Sequence, residues 1–209
     1  GALSMTFCNG QSDTSGVIDY NELITFEIST EGMDSAQAAM MAQFMPKEQT
    51  FYKQLFFDQT QTLFLQNDSI TKAANETKMK KMRMEGRPMF RMHTESDDSQ
   101  LYIDLTKNVS LQKQEFMNRE FLIEEKIEVP KWKITGKQKM ILDYMCMEAT
   151  TTLDSSTVTA WFTPQIKNAI GPNGLNGLPG AILEVDMNKG LTKYVASKIV
   201  LKPLDKKTI

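Results

Sequence analysis

The sequence holds a single histidine, His93, so any mechanism that needs an imidazole base must pass through it. It stands in Arg91-Met92-His93-Thr94, within a polar stretch and away from any strand-end nucleophile. No His-Glu-x-x-His, Cys-x-x-Cys or Gly-x-Ser-x-Gly pattern occurs. Zinc coordination by His and Cys would lack ligands, because the only cysteines are Cys8 and Cys146. The chain therefore reads as a non-enzymatic protein with no catalytic residue, no resident metal and no cofactor. The two cysteines allow at most one disulfide, and spacing alone leaves their pairing open.

Softer chemistry is carried by the 15 methionines. Met79, Met82, Met84, Met89 and Met92 crowd together just ahead of His93. Thioether and imidazole are ligands that suit Cu(I), so a Met-rich copper-binding protein is one alternative reading. Methionine also fills irregular cores, and Lys78, Lys80, Lys81 and Arg83 among these residues would repel a cation. Among the acids, Glu124 and Glu125 are strand neighbours and point to opposite faces. Glu184 and Asp186 share a face and read as solvated.

Glycines recur at Gly171, Gly174, Gly177 and Gly180, with Pro172 and Pro179 between them. This spacing is neither a dinucleotide fingerprint nor a phosphate loop. It predicts a tight surface loop with positive φ at several points. Gly171, Pro172, Gly177, Leu178, Pro179 and Gly180 are its candidate functional residues.

The elements that must position these groups follow from two-residue alternation of apolar and polar side chains. Ile18, Tyr20, Ile24, Phe26 and Ile28 share one face of a first strand, with Glu22 as the exception. Strands follow at Phe51–Phe57, Thr62–Gln66, Leu101–Leu105 and Phe121–Val129. Later ones run over Met140–Cys146, Val158–Phe162, Ala181–Met187 and Tyr194–Leu201. Asp34 with Gln37 makes a capping-box pattern for a short helix that runs to about Met45. Residues 67–100 read as a polar, Met-rich insertion, partly helical near Thr71–Lys81. The fold class is mainly β (α+β), a curled antiparallel sheet or half-barrel with one or two short helices.

Length and charge set the outer bounds. With 209 residues, one domain over 17–209 can bury a sizeable core. Residues 1–16 form a tail whose apolar piece Ala2–Cys8 reads either as the end of a signal-peptide hydrophobic region or as a strand. A net charge of −2 gives no basic field for nucleic acid. No run approaches the ~20 apolar residues of a membrane span.

Two segments carry a resemblance. Thr159-Ala160-Trp161-Phe162-Thr163-Pro164-Gln165-Ile166, Gly171-Pro172 and Gly177-Leu178-Pro179-Gly180-Ala181-Ile182-Leu183-Glu184-Val185 resemble the signature of the GLPGLI family. Ala181 stands where that family has Leu. The block from Lys139 to Thr151 is similar to the family's Gly-Tyr-x-Cys-x-Lys-Ala-Thr pattern, with Asp143 at the Gly and Glu148 at the Lys. The resemblance implies an exported protein, in the periplasm or cell envelope, and brings no catalytic residue with it. By fold analogy alone the meander is similar to LolA-like half-barrels.

A curled sheet offers a concave groove. The expected function is binding or carriage of an apolar or lipid-like ligand, in a groove lined by Phe26, Phe57, Trp132, Trp161 and Phe162. Taken singly, each of these also suits a plain core position. The alternative is contact with a cell-envelope protein through the Gly171–Gly180 loop.

Overall fold

The computed structural model describes residues 14–26, 32, 34–36, 39–40, 47–85, 99–116, 119–205 and 208–209. Among the described residues, eleven strands form one antiparallel sheet. They are β1 (Gly16–Thr25), β2 (Glu48–Phe57), β3 (Gln61–Gln66), β4 (Gln100–Asp104), β5 (Val109–Phe116) and β6 (Arg119–Lys126), then β7 (Lys133–Ile141), β8 (Tyr144–Leu153), β9 (Ser156–Thr163), β10 (Ala181–Met187) and β11 (Thr192–Leu201). The spatial order is β6-β5-β4-β3-β2-β1-β11-β10-β9-β8-β7. Two meanders, β1–β6 and β7–β11, are thus welded where β1 pairs with β11.

The order places β6 and β7 at opposite edges of the sheet, yet residues 127–132 alone join them. Seven chain steps reach at most about 25 Å. A flat sheet of eleven strands would be about twice that wide at ~4.8 Å per strand. The sheet must therefore curl toward itself, and it does so without an edge-to-edge ladder between β6 and β7. Bulges at Asp19/Tyr20, Ile182/Glu184 and Ile134/Gln138 sharpen the bend.

The inner face carries the core. Alternate residues point inward: Ile18 and Tyr20 on β1, Leu55 and Phe57 on β2, Val158, Ala160 and Phe162 on β9, Val185 on β10, and Tyr194 and Ala196 on β11. The Tyr20 hydroxyl donates to the Ile182 carbonyl at 2.6 Å, crossing β11 to pin the β10 bulge. Phe64 meets Tyr20 and Tyr194 edge-on, with centroids 6.4 and 6.1 Å apart.

Helix α1 spans Asp68–Met84 and is longer than the expected Thr71–Lys81. The Asn67 side chain caps it by accepting from the Ile70 N–H at 3.1 Å, and no Gly or Pro interrupts it before Gly86. Asp68 in the first turn and Lys81 and Arg83 in the last suit the helix dipole. Only Thr71 of this helix is buried. Of the other expected helix, Ser35, Ala36, Ala39 and Met40 are helical, and Asp34 Oδ1 accepts from the Ala36 N–H at 2.9 Å. Gln37 and residues 41–46 lie outside the described residues, as do residues 1–13 with Cys8, Ile28, and residues 86–98 with Met89, Met92 and His93.

Two sequence expectations change. Met140–Cys146 is not one strand but the turn between β7 and β8, where Leu142 adopts φ 51°. Asp143, at the position where the resembling family has Gly, keeps negative φ. Strand β5 was absent from the expected set because its sequence alternates weakly and it lies near an exposed edge. No helix among the described residues is long and apolar enough to cross a membrane.

Candidate functional site

The glycine-rich segment between β9 and β10 builds one wall of the site. It keeps Lys167, Asn173, Gly177 and Pro179 on the surface, as expected, and also packs into the concave side of the sheet: Ile166, Ile170, Leu175 and Leu178 are buried. The Ala181 N–H donates to Ile166 O at 3.1 Å and the Ile182 N–H to Ile170 O at 2.8 Å, locking the segment to the start of β10. Positive φ occurs at Gly174, Gly177 and Gly180, as the spacing predicts, whereas Gly171 is extended at φ −167°. A Cβ on Gly180 would lie 2.0 Å from Thr163 O, so only glycine admits this approach. A Cβ on Gly171 would touch Ile182 of β10, and one on Gly174 would touch Leu101 and Ile103 of β4. Two residues three apart reach strands five places apart in the sheet, which fixes the segment inside the curl. Trp132 secures its outer side by donating from Nε1 to Asn176 O at 2.7 Å.

The segment does not fill the whole concavity. A pocket of about 240 Å³ remains between it and the sheet, and its lining includes Glu22, Lys53, Phe64, Leu101, Gln112, Asn173 and Tyr194. Cross-strand register brings Glu22 opposite Tyr194, Tyr20 opposite Lys53, and Phe64 opposite Leu101, all on the inner face. Glu22 Oε1 accepts from the Tyr194 hydroxyl at 2.6 Å, and Oε2 lies 3.5 Å from Lys53 Nζ. Glu22 is 8% and Lys53 6% exposed. Asn173, at φ 51°, stands at the mouth on the turn that carries Gly174. The sequence signal for this site is Glu22 itself, the one charge on an otherwise apolar strand face. Lys53, inward on β2, is its counterpart.

The five aromatics expected in one groove do not come together. Phe57 and Phe162 are fully buried core residues. Trp161 follows β9 to the opposite face, because successive strand residues alternate. Lys139 Nζ lies 4.2 Å from its ring centroid there. Trp132 braces the segment, and Phe26, past the end of β1, is 37% exposed. A second gap against Ile103 and Gly174 measures about 10 Å³, no more than one water needs.

On the opposite face, the acids expected to be solvated are paired. Glu184 meets Lys139 at 2.7 Å and Lys193 at 3.0 Å. Burial pushes its carboxyl up, but the two lysines outweigh this and hold it below the usual glutamate range. Asp186 Oδ1 accepts from the Gly190 N–H at 2.8 Å. Glu148, where the resembling family has Lys, accepts from Thr135 at 2.8 Å and pairs with Lys137 at 3.1 Å, so the reversed charge is compensated locally. Among the described residues no three His, Cys, Asp or Glu side chains group to hold a metal. Cys146 is a free, buried thiol, pushed up to about 11 chiefly by burial.

Comparison with known proteins agrees with this architecture. No curated protein sequence matches the chain. Two solved structures of PNGF-II, in space groups C2 and P21, share the fold with TM-scores of 0.58 and 0.56 at 17% and 16% identity. In both, 93% of this chain aligns with less than a third of that one, 29% and 30%. A family model described as "Protein of unknown function (Porph_ging)" matches residues 152–184, from the end of β8 through β9 and the buried segment into β10. The chain is thus similar, over the residues that shape its concave face, to a protein family to which no function is assigned.

Proposed function

We propose that this protein is a non-enzymatic, extracytoplasmic binding module of GLPGLI type, whose ligand is small and polar and sits in the Glu22–Lys53–Tyr194 pocket. The observation that carries this reading is an ion pair buried on the inner face beside an open volume of about 240 Å³. A buried ion pair is weak as a stability device, since desolvation of both charges offsets their attraction. Its placement against free space makes ligand contact the better explanation. The filled concave face argues against the apolar or lipid-like cargo that the sequence suggests. Export rests on the family resemblance.

The test is the charge-neutral double variant Glu22→Gln/Lys53→Met. Its fold is checked first by far-UV circular dichroism. In a thermal-shift screen of small polar metabolites, compounds that raise the wild-type Tm should leave the variant unmoved. A wild-type protein that no compound stabilises would refute the reading.

A second reading, contact with a cell-envelope protein, has its own observation. Edge strand β6 exposes Phe121, Leu122 and Ile123 on both its faces, at 46%, 70% and 37%. Such an edge pairs readily with an extended segment of a partner. Leu122→Lys should abolish any such complex without lowering Tm. A complex that survives it would remove this reading.

A further inference from the structure

We propose that edge strand β6 pairs with β6 of a second copy of this chain, antiparallel about Leu122, so that two sheets join in one symmetric dimer. The surface is independent of the pocket, and its occupant differs from the envelope protein considered above.

Strand β6 keeps a free edge and lacks the devices that guard one. Direction alternates along the sheet order, so with eleven strands β6 and β7 run the same way and cannot close an antiparallel ladder. Among the described residues β6 therefore pairs only with β5. All of its residues are exposed. Its ladder with β5 has no bulge, and the strand holds no Pro or Gly. Edges that stay single carry such breaks. Edge β7 has one, a register shift between Ile134 and Gln138 with Gly136 at φ 85°, together with Lys133, Lys137 and Lys139.

The inner face of β6 is complementary to itself. Phe64, Leu101, Gln112 and Ile123 are successive cross-strand partners, which puts Ile123 on that face. Alternation puts Arg119, Phe121 and Glu125 there too. A two-fold axis normal to the joined sheet keeps both inner faces on one side, so it must pass through a pair of equivalent residues. With the axis at Leu122, Arg119 stands opposite the partner's Glu125 and Phe121 opposite the partner's Ile123, each twice. Opposite charges and aromatic–aliphatic pairs directly across a ladder are the stabilising combinations. Arg119 and Glu125 are exposed and make no ion pair among the described residues, so this contact breaks none.

Neighbouring symmetric registers fit worse. An axis at Ile123 sets Phe121 against the partner's Glu125 and Leu122 against the partner's Glu124. An axis at Phe121 sets Arg119 against the partner's Ile123 and shortens the ladder. The cost at Leu122 is Glu120 opposite the partner's Glu124 on the outer face. Solvent screens that repulsion, and Lys113 holds Glu120 at 2.7 Å. Joining single edge strands buries little area, which suits micromolar to millimolar dissociation.

The test is sedimentation equilibrium of the whole chain from micromolar to millimolar concentration. The wild type should associate to a dimer. Arg119→Glu and Glu125→Arg should each weaken it about tenfold or more, because each makes two attractive pairs repulsive. Mixing the two single variants should restore a heterodimer, and Arg119→Glu/Glu125→Arg in one chain should restore the homodimer. In a Cys8→Ser background, with Cys146 buried, Leu122→Cys should form a disulfide-linked dimer on mild oxidation and Glu124→Cys should not. These substituted edge positions are exposed, so the variants leave the core intact. A chain that stays monomeric at millimolar concentration overturns the proposal and leaves the β6 edge to the envelope-protein reading. A dimer that both single reversals leave intact, a mixture that does not recover it, or equal cross-linking at Leu122→Cys and Glu124→Cys overturns it as well.

Discussion

Gly180→Ala should be among the most damaging single-methyl additions in this protein. Its φ of +149° lies in a region open essentially to glycine, where another residue costs about 1–3 kcal/mol. The added Cβ would also lie 2.0 Å from Thr163 O and 2.6 Å from Thr163 C, both backbone atoms of β9 that cannot swing aside. Relief requires a backbone shift of about 1 Å at the junction of segment and strand. That shift loosens the Ala181–Ile166 bond and the packing of Ile166 and Leu178, both nearly or fully buried. Loss of part of that burial adds about 1–3 kcal/mol, for a total of about 2–6 kcal/mol. In a domain of this length each kcal/mol moves Tm by about 2–4 °C, so Tm should fall by about 4–24 °C. Gly190→Ala is the control: φ is +93°, but no atom lies within 4 Å of its Cβ. Strain alone should cost about 1 kcal/mol there. Thermal and urea denaturation followed by circular dichroism measure both. Equal losses at the two positions would refute the claim that this segment is packed against the sheet.

Other outcomes follow from the same geometry. Leu142 sits at φ 51° and is 45% exposed, so Leu142→Gly should stabilise by about 0.5–1 kcal/mol, read as a rise in urea midpoint. In a Cys8→Ser background, the Cys146 thiol should resist iodoacetamide at pH 8 until denaturant is added, because burial holds it protonated; rapid native labelling would contradict its placement. Glu184 has its folded-state pKa held below the ordinary value, so its stabilisation is present at neutral pH and is lost as pH falls through the lowered folded value. A Tm–pH profile should therefore lose part of its acid limb in Glu184→Gln, and lose it less at high salt; identical acid limbs would show that the lysine pairs contribute nothing.

The sheet was legible because most strands carry a clean two-residue period. Val158, Ala160 and Phe162 turn inward while Trp161 turns outward, as the sequence pattern requires. Strand β5 was not legible, since an edge region without a fully buried face leaves little alternation to read. The β7–β8 turn was hidden because Leu142 occupies a left-handed position without Gly or Asn to announce it. The glycines signalled positive φ correctly but not burial: alternation reports the faces of strands and says nothing of a loop folded onto them. The aromatics misled because Phe57 and Phe162 are core residues, Trp161 points to the opposite face of β9 and Phe26 lies past the end of β1, so they share no groove. The candidate site was half visible. Glu22 broke the apolar face of β1, but only the pairing of β1 with β2 and β11 brings Lys53 and Tyr194 to it.

The central claim is that residues 164–180 are a plug anchored by the buried side chains of Ile166, Ile170, Leu175 and Leu178, and not a loose surface flap. Native-state amide hydrogen exchange tests it directly. The Ala181 and Ile182 N–H groups, bonded back to Ile166 and Ile170, should exchange only with global unfolding, as slowly as the β9–β10 ladder. Exchange as fast as that of the exposed turn at Asn188–Gly190 would contradict the account, and with it the pocket that the plug encloses.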